Sequence, residues 1–222
     1  AAAKEGWIWI NLREAMNVHA EYQSVLSEMY GDLAANTGNK PFNPRGGILI
    51  TSPIARTPYH FDKTETILWH IRGKKRIYIY PLEEKYFSDE MYENVIFDPI
   101  DDDLPYEPEF DAGAQYFDLQ EGQAICWKLN APHRVVNSEF CVSVTSEYST
   151  RESGMKNAAI IANAAFRSKF GRGSTYSEQS QAGRFVRSIF GRVIKKSGLL
   201  KVEEPVDMVN FKIDPTVPGF VV

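Results

Sequence analysis

The chain has 222 residues, enough for one large domain or two small ones. Its composition, 43% hydrophobic and 24% charged, is that of an ordinary globular protein, which excludes collagen, global disorder and simple coiled coils. The net charge of −4 argues against a dedicated nucleic-acid-binding protein, and no apolar run approaches the roughly 18–20 residues that span a bilayer. Two cysteines, Cys126 and Cys141, are too few for a disulfide framework, so we expect a reducing, cytoplasmic location.

Charge and element patterns divide the chain at about residue 150. Residues 1–150 hold 13 basic and 23 acidic side chains (−10), and residues 151–222 hold 12 basic and 6 acidic ones (+6). We predict an N-terminal helical segment (1–46) that packs on a barrel, the barrel itself (47–150) and a C-terminal helical region (151–222) that is a candidate dimerisation element.

The predicted elements follow in chain order. Apolar residues at helical spacing predict a helix from Leu12 to Ala35. Short runs rich in β-branched and aromatic residues predict strands, with Gly73-Lys74 as a hairpin turn between the second and third; these runs are 48–51, 66–71, 76–80, 124–127 and 140–145. Two helices follow, Ala158–Phe170, capped by Gly171, and Arg184–Lys196, and then an extended stretch from Pro205. Short strands separated by Gly, Pro and Asp indicate an antiparallel barrel or sandwich.

The chemically informative stretch is T-P-Y-H-F-D, residues 57–62. On a strand, His60 and Asp62 would point to one face and could share a metal ion. A third ligand would come from His19, His70 or His133, and His133 is the best candidate because it stands at a strand end, where open sites form. Two histidines and one carboxylate leave positions open on the metal, as in non-haem Fe(II) oxygenases.

Residues 47–148 resemble the Jumonji C (JmjC) family of cupin-type oxygenases that use Fe(II) and 2-oxoglutarate. In that family T-P-x-H-x-D is followed by a lysine 15 residues after the histidine, and here Lys75 follows His60 by 15. A later family motif runs 11 residues from a glycine to the last ligand histidine, as Gly122 to His133 does here. The likeness is greatest to the asparaginyl hydroxylase branch that includes factor inhibiting HIF. This chain has Gly122-Gln123 where the family often has Gly-Asp.

The resemblance implies a double-stranded β-helix, or jelly-roll, with flanking helices, and a role for each site residue. His60, Asp62 and His133 would be the catalytic residues that hold Fe(II). Lys75 and Thr57 would bind the far carboxylate of the co-substrate 2-oxoglutarate, and Thr66 would line its pocket. With O₂, the implied reaction releases succinate and CO₂ and hydroxylates a C–H bond, or removes an N-methyl group through hydroxylation.

Other readings stay open at this point. The chain could be a non-catalytic cupin-like binding or regulatory module, or a cupin metal enzyme without 2-oxoglutarate. His70 is read as a strand histidine packed beside Trp69 and not as a ligand. The substrate is a protein, a peptide or a small molecule, and the acidic stretch 98–111 is a hypothetical rim that attracts a basic one. We expect no membrane partner, regard nucleic acid as unlikely, and predict a homodimer through the C-terminal helices.

Overall fold

Two antiparallel sheets form the centre of the computed structural model, which describes residues 8–38, 40–97, 104–171, 174–197, 212, 214, 216 and 217. Sheet A has the strand order β1-β2-β9-β4-β7 and sheet B the order β3-β8-β5-β6. The strands are β1 (Trp9–Leu12), β2 (Phe42–Thr51), β3 (Arg56–His60), β4 (Glu65–Arg72), β5 (Lys75–Ile79), β6 (Gln115–Leu119), β7 (Ala124–Cys126), β8 (His133–Asn137) and β9 (Cys141–Ser149).

The path of the chain through strands β2 to β9 is that of a jelly roll. The chain changes sheet at every connection except the one between β5 and β6, so the two sheets are wound together. The inner faces meet in an apolar layer that includes Leu68 of sheet A and Ile77, Leu119 and Val135 of sheet B. The predicted double-stranded β-helix with flanking helices is therefore confirmed.

The turn at Gly73 does not make a hairpin, and this prediction was wrong. β4 pairs with β7 and β9, whereas β5 pairs with β6 and β8, so the turn carries the chain from sheet A to sheet B. Gly73 has φ +89°, and a Cβ there would lie 2.3 Å from the carbonyl oxygen of Phe140. Position 73 needs glycine because its backbone is left-handed and the Phe140 backbone lies close to it, not because the flanking strands pair with each other.

The N-terminal segment contributes a strand as well as helices. β1 pairs with β2 at the edge of sheet A, and α1 (Ala15–Val18) and α2 (Ala20–Thr37) follow it. α2 covers the outer face of the sheet, where Leu26 and Tyr30 pack against Val144 and Tyr148. The Tyr30 hydroxyl lies within hydrogen-bond distance of the carbonyl oxygens of two neighbouring strands.

Between β5 and β6 the chain forms α3 (Asp89–Phe97) and a 3₁₀ helix (Pro108–Gly113). Two more helices follow the last strand, β9. α4 (Arg151–Phe170) begins at a capping box formed by Thr150 and Ser153, and it ends at Gly171 with φ 66° as predicted. α5 (Gln181–Ser197) packs against α4 so closely that a Cβ on Gly191 would lie 1.7 Å from the Ala158 carbonyl oxygen. The predicted extended stretch from Pro205 lies outside the described residues apart from 212, 214, 216 and 217.

Both cysteines are free thiols, Cys126 exposed and Cys141 buried. In the part of the chain that the structure describes, no helix is both long enough and apolar enough to cross a membrane.

Candidate metal centre

His60 and His133 are brought together by strand pairing. His60 is the last residue of β3 and His133 the first residue of β8, and the two are direct partners in the antiparallel ladder. Direct partners present their side chains on the same face, and the two ring centroids lie 4.2 Å apart. His133 thus begins a strand, whereas the sequence was read as placing it where a strand ends.

Asp62 reaches the two histidines from a loop. It lies two residues beyond the end of β3, so the expected alternation along one strand does not position it. The Asn130 side-chain amide donates a hydrogen bond to the Asp62 carbonyl oxygen (2.8 Å), and the Asn157 amide donates to the Lys63 carbonyl oxygen (2.7 Å). These bonds hold the loop so that His60, Asp62 and His133 each offer a ligand atom within 4.8 Å of the others.

The hydrogen bonds of the two rings leave the Nε2 atoms free for a metal ion. Nδ1 of His60 lies 2.8 Å from the Pro58 carbonyl oxygen, and Nδ1 of His133 lies 3.0 Å from the Ala131 carbonyl oxygen. A carbonyl only accepts, so Nδ1 carries the proton and Nε2 of the neutral ring carries the lone pair. Burial and the neighbouring His60 lower the pKa of His133 to about 4, which keeps this imidazole neutral near pH 7.

The Asp62 carboxylate fits the same ion. Its Oδ2 atom is buried without a hydrogen-bond partner among the described residues, which is costly unless something else satisfies it. It lies 3.6 Å from Nε2 of His133, too far for a hydrogen bond but suited to two ligands with bonds of about 2.0–2.2 Å to one ion. The donor set therefore fits a divalent transition metal.

The three residues predicted to bind the co-substrate lie around the same interior. Lys75 begins β5 and pairs with Asn137 of β8, four residues along that strand from His133, which is about 13 Å. Thr57 pairs with Val135, so Lys75 and Thr57 share the inner face of sheet B with the metal-site histidines. Thr66 is buried on β4 of the facing sheet, where its Oγ1 lies 3.4 Å from the Thr64 carbonyl oxygen.

Lys75 is a buried cation with one neutral partner. Its ammonium group donates to Ser143 Oγ at 2.7 Å, and no carboxylate among the described residues pairs with it. Burial lowers the pKa of Lys75 to about 8. An ammonium group has three N–H donors, so Lys75 is equipped to receive an anion inside the barrel.

His70 does not belong to the metal cluster, and its surroundings differ from those expected. His70 and Trp69 point to opposite faces of β4, because Trp69 donates to Ser146 on the outer face whereas His70 contacts Ser143 on the inner one. Its ring nitrogens lie 3.1 Å from Ser143 Oγ and 2.7 Å from the Gly73 carbonyl oxygen. Sequence reasoning did not predict this chain of contacts, although the alternation of buried residues along β4 contains the signal.

Three further residues lie close to the metal centre. Asn130 is fully buried with φ 64° and holds the Asp62 loop. The centroid of the Trp127 ring lies 4.3 Å from that of the His133 ring. Glu147 is the partner of Thr66 on the inner face of sheet A, and burial together with Asp62 raises the pKa of this carboxyl. In the sequence, the position of Glu147 is marked only by a charged residue within a run that predicts a strand.

The end of the acidic stretch 98–111 contacts the barrel. Residues 98–103 lie outside the described residues. Asp111, at its end, forms an ion pair with Arg134 and accepts a hydrogen bond from the Tyr80 hydroxyl, and these contacts lower the pKa of Asp111 against the opposing effect of burial. This carboxylate is therefore committed to the fold and is not free to attract a substrate.

A separate groove of about 430 Å³ lies on the outer face of sheet A, between α2 and the strands. Leu33, Ile67 and Trp69 line it. It opens on the side of β4 opposite to Thr66 and His70, so it is not part of the metal centre.

No protein-family model matches the sequence, and neither does any curated protein. Among solved structures the chain is similar to two of Escherichia coli YcfD, at 14% and 10% identity with a TM-score of 0.47 for each. These alignments cover 88% and 95% of this chain but 49% and 55% of the YcfD chains, so this chain spans about half of that protein's length. The second structure is described as a ribosomal oxygenase in complex with cobalt and 2-oxoglutarate.

Two smaller proteins are similar over half of this chain. Hydroquinone 1,2-dioxygenase from Sphingomonas sp. TTNP3 matches at 12% identity and a TM-score of 0.35, covering 50% of this chain and 63% of its own. An RmlC-like cupin from Shewanella frigidimarina matches at 9% identity and a TM-score of 0.32, and the alignment covers 49% of this chain and 68% of that one. At these identities and scores the likeness carries no argument about activity, and the fold assignment stands on the strand topology.

Proposed function

We propose that this protein is an Fe(II)- and 2-oxoglutarate-dependent oxygenase of the JmjC type. It would hydroxylate an unidentified protein, peptide or small-molecule substrate, or demethylate it through hydroxylation. The observation that carries the proposal is the convergence of His60, Asp62 and His133 at one end of the barrel interior, with the buried Lys75 cation on the same face of sheet B. Membership of the asparaginyl hydroxylase branch rests on the motif spacing alone.

The metal-binding residues set the charge and orientation of the centre. Two neutral imidazoles and one carboxylate cancel one of the two charges of Fe(II), so the site keeps a positive charge that attracts an anionic co-substrate. The Pro58 and Ala131 carbonyls fix the two rings with Nε2 directed inward. The Asn130 and Asn157 side chains fix the loop that carries the third ligand.

Lys75 would bind the carboxylate of 2-oxoglutarate that is remote from the metal. Its ammonium group still has donors to offer after the bond to Ser143, and the surrounding barrel excludes water, which strengthens a charge-assisted hydrogen bond. Thr57, on the same inner face, would add a hydroxyl donor to that carboxylate, and Thr66 would line the facing wall. When bound, iron and 2-oxoglutarate supply the oxidation: 2-oxoglutarate, O₂ and a C–H bond give succinate, CO₂ and a C–OH group.

The test is turnover of 2-oxoglutarate by the purified protein. With Fe(II), 2-oxoglutarate and O₂, we expect slow release of succinate without a prime substrate, and none from the matched His60→Ala variant. Absence of succinate, together with absence of a thermal shift on adding 2-oxoglutarate to the metal-loaded protein, would overturn the proposal. The same pair of results would favour a cupin-like binding module.

A narrower test separates the co-substrate site from the metal site. Lys75→Ala removes the anion-binding group at a position about 13 Å along the sheet from His133. We expect the affinity for 2-oxoglutarate to fall by at least tenfold while the metal content per chain stays that of the unaltered protein. Loss of metal in this variant would show that Lys75 supports the metal centre instead.

A further inference from the structure

Three buried polar side chains form a continuous chain of contacts across the barrel interior. His70 of β4 contacts the Gly73 carbonyl oxygen through Nε2 (2.7 Å) and Ser143 Oγ through Nδ1 (3.1 Å). Ser143 of β9 in turn accepts from Lys75 of β5 (2.7 Å). The exposed fractions of His70, Ser143 and Lys75 are 1%, 0% and 4%, so water does not compete for these bonds.

The direction of every hydrogen bond in this chain is fixed. The Gly73 carbonyl only accepts, so Nε2 of His70 carries the proton and donates it. In the neutral ring Nδ1 is then an acceptor, and the hydroxyl proton of Ser143 is directed to it. This orientation turns the lone pairs of Ser143 Oγ toward the Lys75 ammonium, which can only donate.

The neutral state of His70 is required for this arrangement, and the structure favours it. Burial, together with the nearby Lys75 charge, lowers the pKa of His70 against the opposing effects of the Gly73 carbonyl and Glu121. Cys141 is a further titratable group that faces Lys75, and burial raises the pKa of its thiol so that it too stays neutral. A protonated His70 would lack the acceptor that orients the Ser143 hydroxyl.

We infer that His70 is a positioning residue for co-substrate binding, acting through Ser143 on Lys75. It holds the Ser143 hydroxyl as an acceptor, and this fixes the Lys75 ammonium at the inner face of sheet B, where it meets the remote carboxylate of the co-substrate. His70 touches neither the co-substrate nor the metal. The inference deepens the proposed function and rests on it.

The test is a set of affinities for 2-oxoglutarate, measured by calorimetry on the Mn(II)-loaded protein without O₂. His70→Phe removes both ring hydrogen bonds at similar volume, and Ser143→Ala removes only the bridging hydroxyl. We expect each to weaken 2-oxoglutarate about tenfold with Mn(II) affinity unchanged. The double variant should lose no more than either single one, and His70→Phe should have no effect in a Lys75→Ala background.

The matched control is Trp69→Phe. It also removes a hydrogen bond from β4 to a serine of β9, in this case Trp69 Nε1 to Ser146 Oγ at 2.9 Å, but on the outer face of the same two strands. It should leave the affinity for 2-oxoglutarate within twofold of the unaltered protein. An equal loss in Trp69→Phe, or losses of His70→Phe and Ser143→Ala that multiply in the double variant, would overturn the inference.

A second measurement distinguishes failure of this inference from failure of the proposed function. The titration of Lys75 is followed by NMR of its side-chain methylene carbon in the protein without co-substrate. The inference requires the Lys75 pKa to fall in His70→Phe and Ser143→Ala but not in Trp69→Phe, because a polarised hydroxyl stabilises the ammonium form. If no variant shifts it, the positioning role is refuted. If the Lys75 pKa shifts while the unaltered protein binds no 2-oxoglutarate, the action of His70 on Lys75 through Ser143 stands and the proposed function does not.

Discussion

Lys75 lies in surroundings that are unusual for a lysine. A lysine is seldom fully buried without an acidic partner, because the charged form loses its hydration. Here the ammonium has one neutral hydrogen-bond acceptor, Ser143, and burial lowers its pKa from 10.5 to about 8. An anion that joins this group would satisfy its remaining donors, and its burial therefore supports the proposed binding role.

The lowered pKa predicts how co-substrate binding depends on pH. A carboxylate binds the ammonium form, so the affinity for 2-oxoglutarate should be constant below pH 8 and fall about tenfold per unit above it. Calorimetry between pH 6.5 and 9.5 checks this. The fall in affinity above pH 8 should be absent in Lys75→Met, which should bind 2-oxoglutarate weakly at every pH. An affinity of the unaltered protein that does not change with pH would contradict the assignment of Lys75 as the carboxylate-binding residue.

The same shift predicts how stability depends on pH. The pKa of Lys75 is lower in the folded protein than in the unfolded chain, so the unfolded chain binds more protons between about pH 8 and 10.5. The contribution of Lys75 to the free energy of unfolding should therefore rise with pH through this window. In urea unfolding, the free energy of unfolding of the unaltered protein should rise relative to that of Lys75→Met between pH 7.5 and pH 10.

Among the secondary-structure elements, α4 has a direct link to the metal centre. Asn157 of this helix donates to the Lys63 carbonyl oxygen, next to the ligand Asp62, and its Oδ1 accepts from the Tyr92 hydroxyl of α3. α4 therefore holds the loop that carries the proposed metal ligand Asp62.

Removal of this link should weaken metal binding. We expect Asn157→Ala to lower the affinity for Co(II) about tenfold, because the Asp62 loop loses a hydrogen bond that restricts it. The matched control is Asn36→Ala, which removes another side-chain amide bond to a backbone carbonyl, that of Asp32 on α2. The visible absorption of bound cobalt measures the affinity. Equal Co(II) affinities for Asn157→Ala and Asn36→Ala would count against the link.

The turn between β4 and β5 gives a test of the crossing between the sheets. Gly73 and Gly122 both have positive φ, +89° and +82°, but only a Cβ on Gly73 would collide with the backbone, at Phe140. We expect Gly122→Ala to lower the free energy of unfolding by about 1–2 kcal/mol, the cost of the left-handed conformation. Gly73→Ala should cost at least about 3 kcal/mol in the same urea titration. Similar losses would mean that the close approach is relieved easily.

The sequence allowed prediction of those features that depend on local pattern. The end of α4 at Gly171 and the strand character of β4 and β9 follow from residues that are neighbours in the chain. Strand pairing could not be predicted, because a turn at Gly73 looks the same whether the next strand pairs in one sheet or crosses to another. The position of Asp62 was expected for the wrong reason, since the Asn130 contact that fixes it joins residues 68 apart.

At the scale of the whole molecule, α5 has an apolar side that the described part of the chain leaves exposed. Phe185, Ile189 and Val193 of α5 are between 48% and 57% exposed, whereas Ser188 and Gly191 are buried and Gly191 packs against Ala158 of α4. An amphipathic helix with its apolar side in water is typical of a surface that another chain covers. This is the surface through which we expect the homodimer to form.

The oligomeric state tests that expectation. Light scattering at micromolar concentration should give the mass of a dimer, and Ile189→Asp, which places a charge within the apolar surface, should give a monomer with an unchanged circular dichroism spectrum. Lys195→Asp introduces the same carboxylate on α5 outside this surface and should remain dimeric. A monomeric mass for the unaltered protein would reject the dimer.

The crossing turn at Gly73 also bears on the order in which the two ends of the interior form during folding. It places His70 and Lys75 five residues apart in the chain although they stand on different sheets, whereas His60 and His133 are 73 residues apart. Closing the longer loop costs about 2 kcal/mol more in chain entropy. Local chain can therefore bring His70 and Lys75 together early, but the Ser143 hydroxyl between them is 68 residues from Lys75 and arrives only with β9. The proposed metal centre is completed only when β8 reaches β3. Uptake of a metal ion would thus report that β8 has paired with β3.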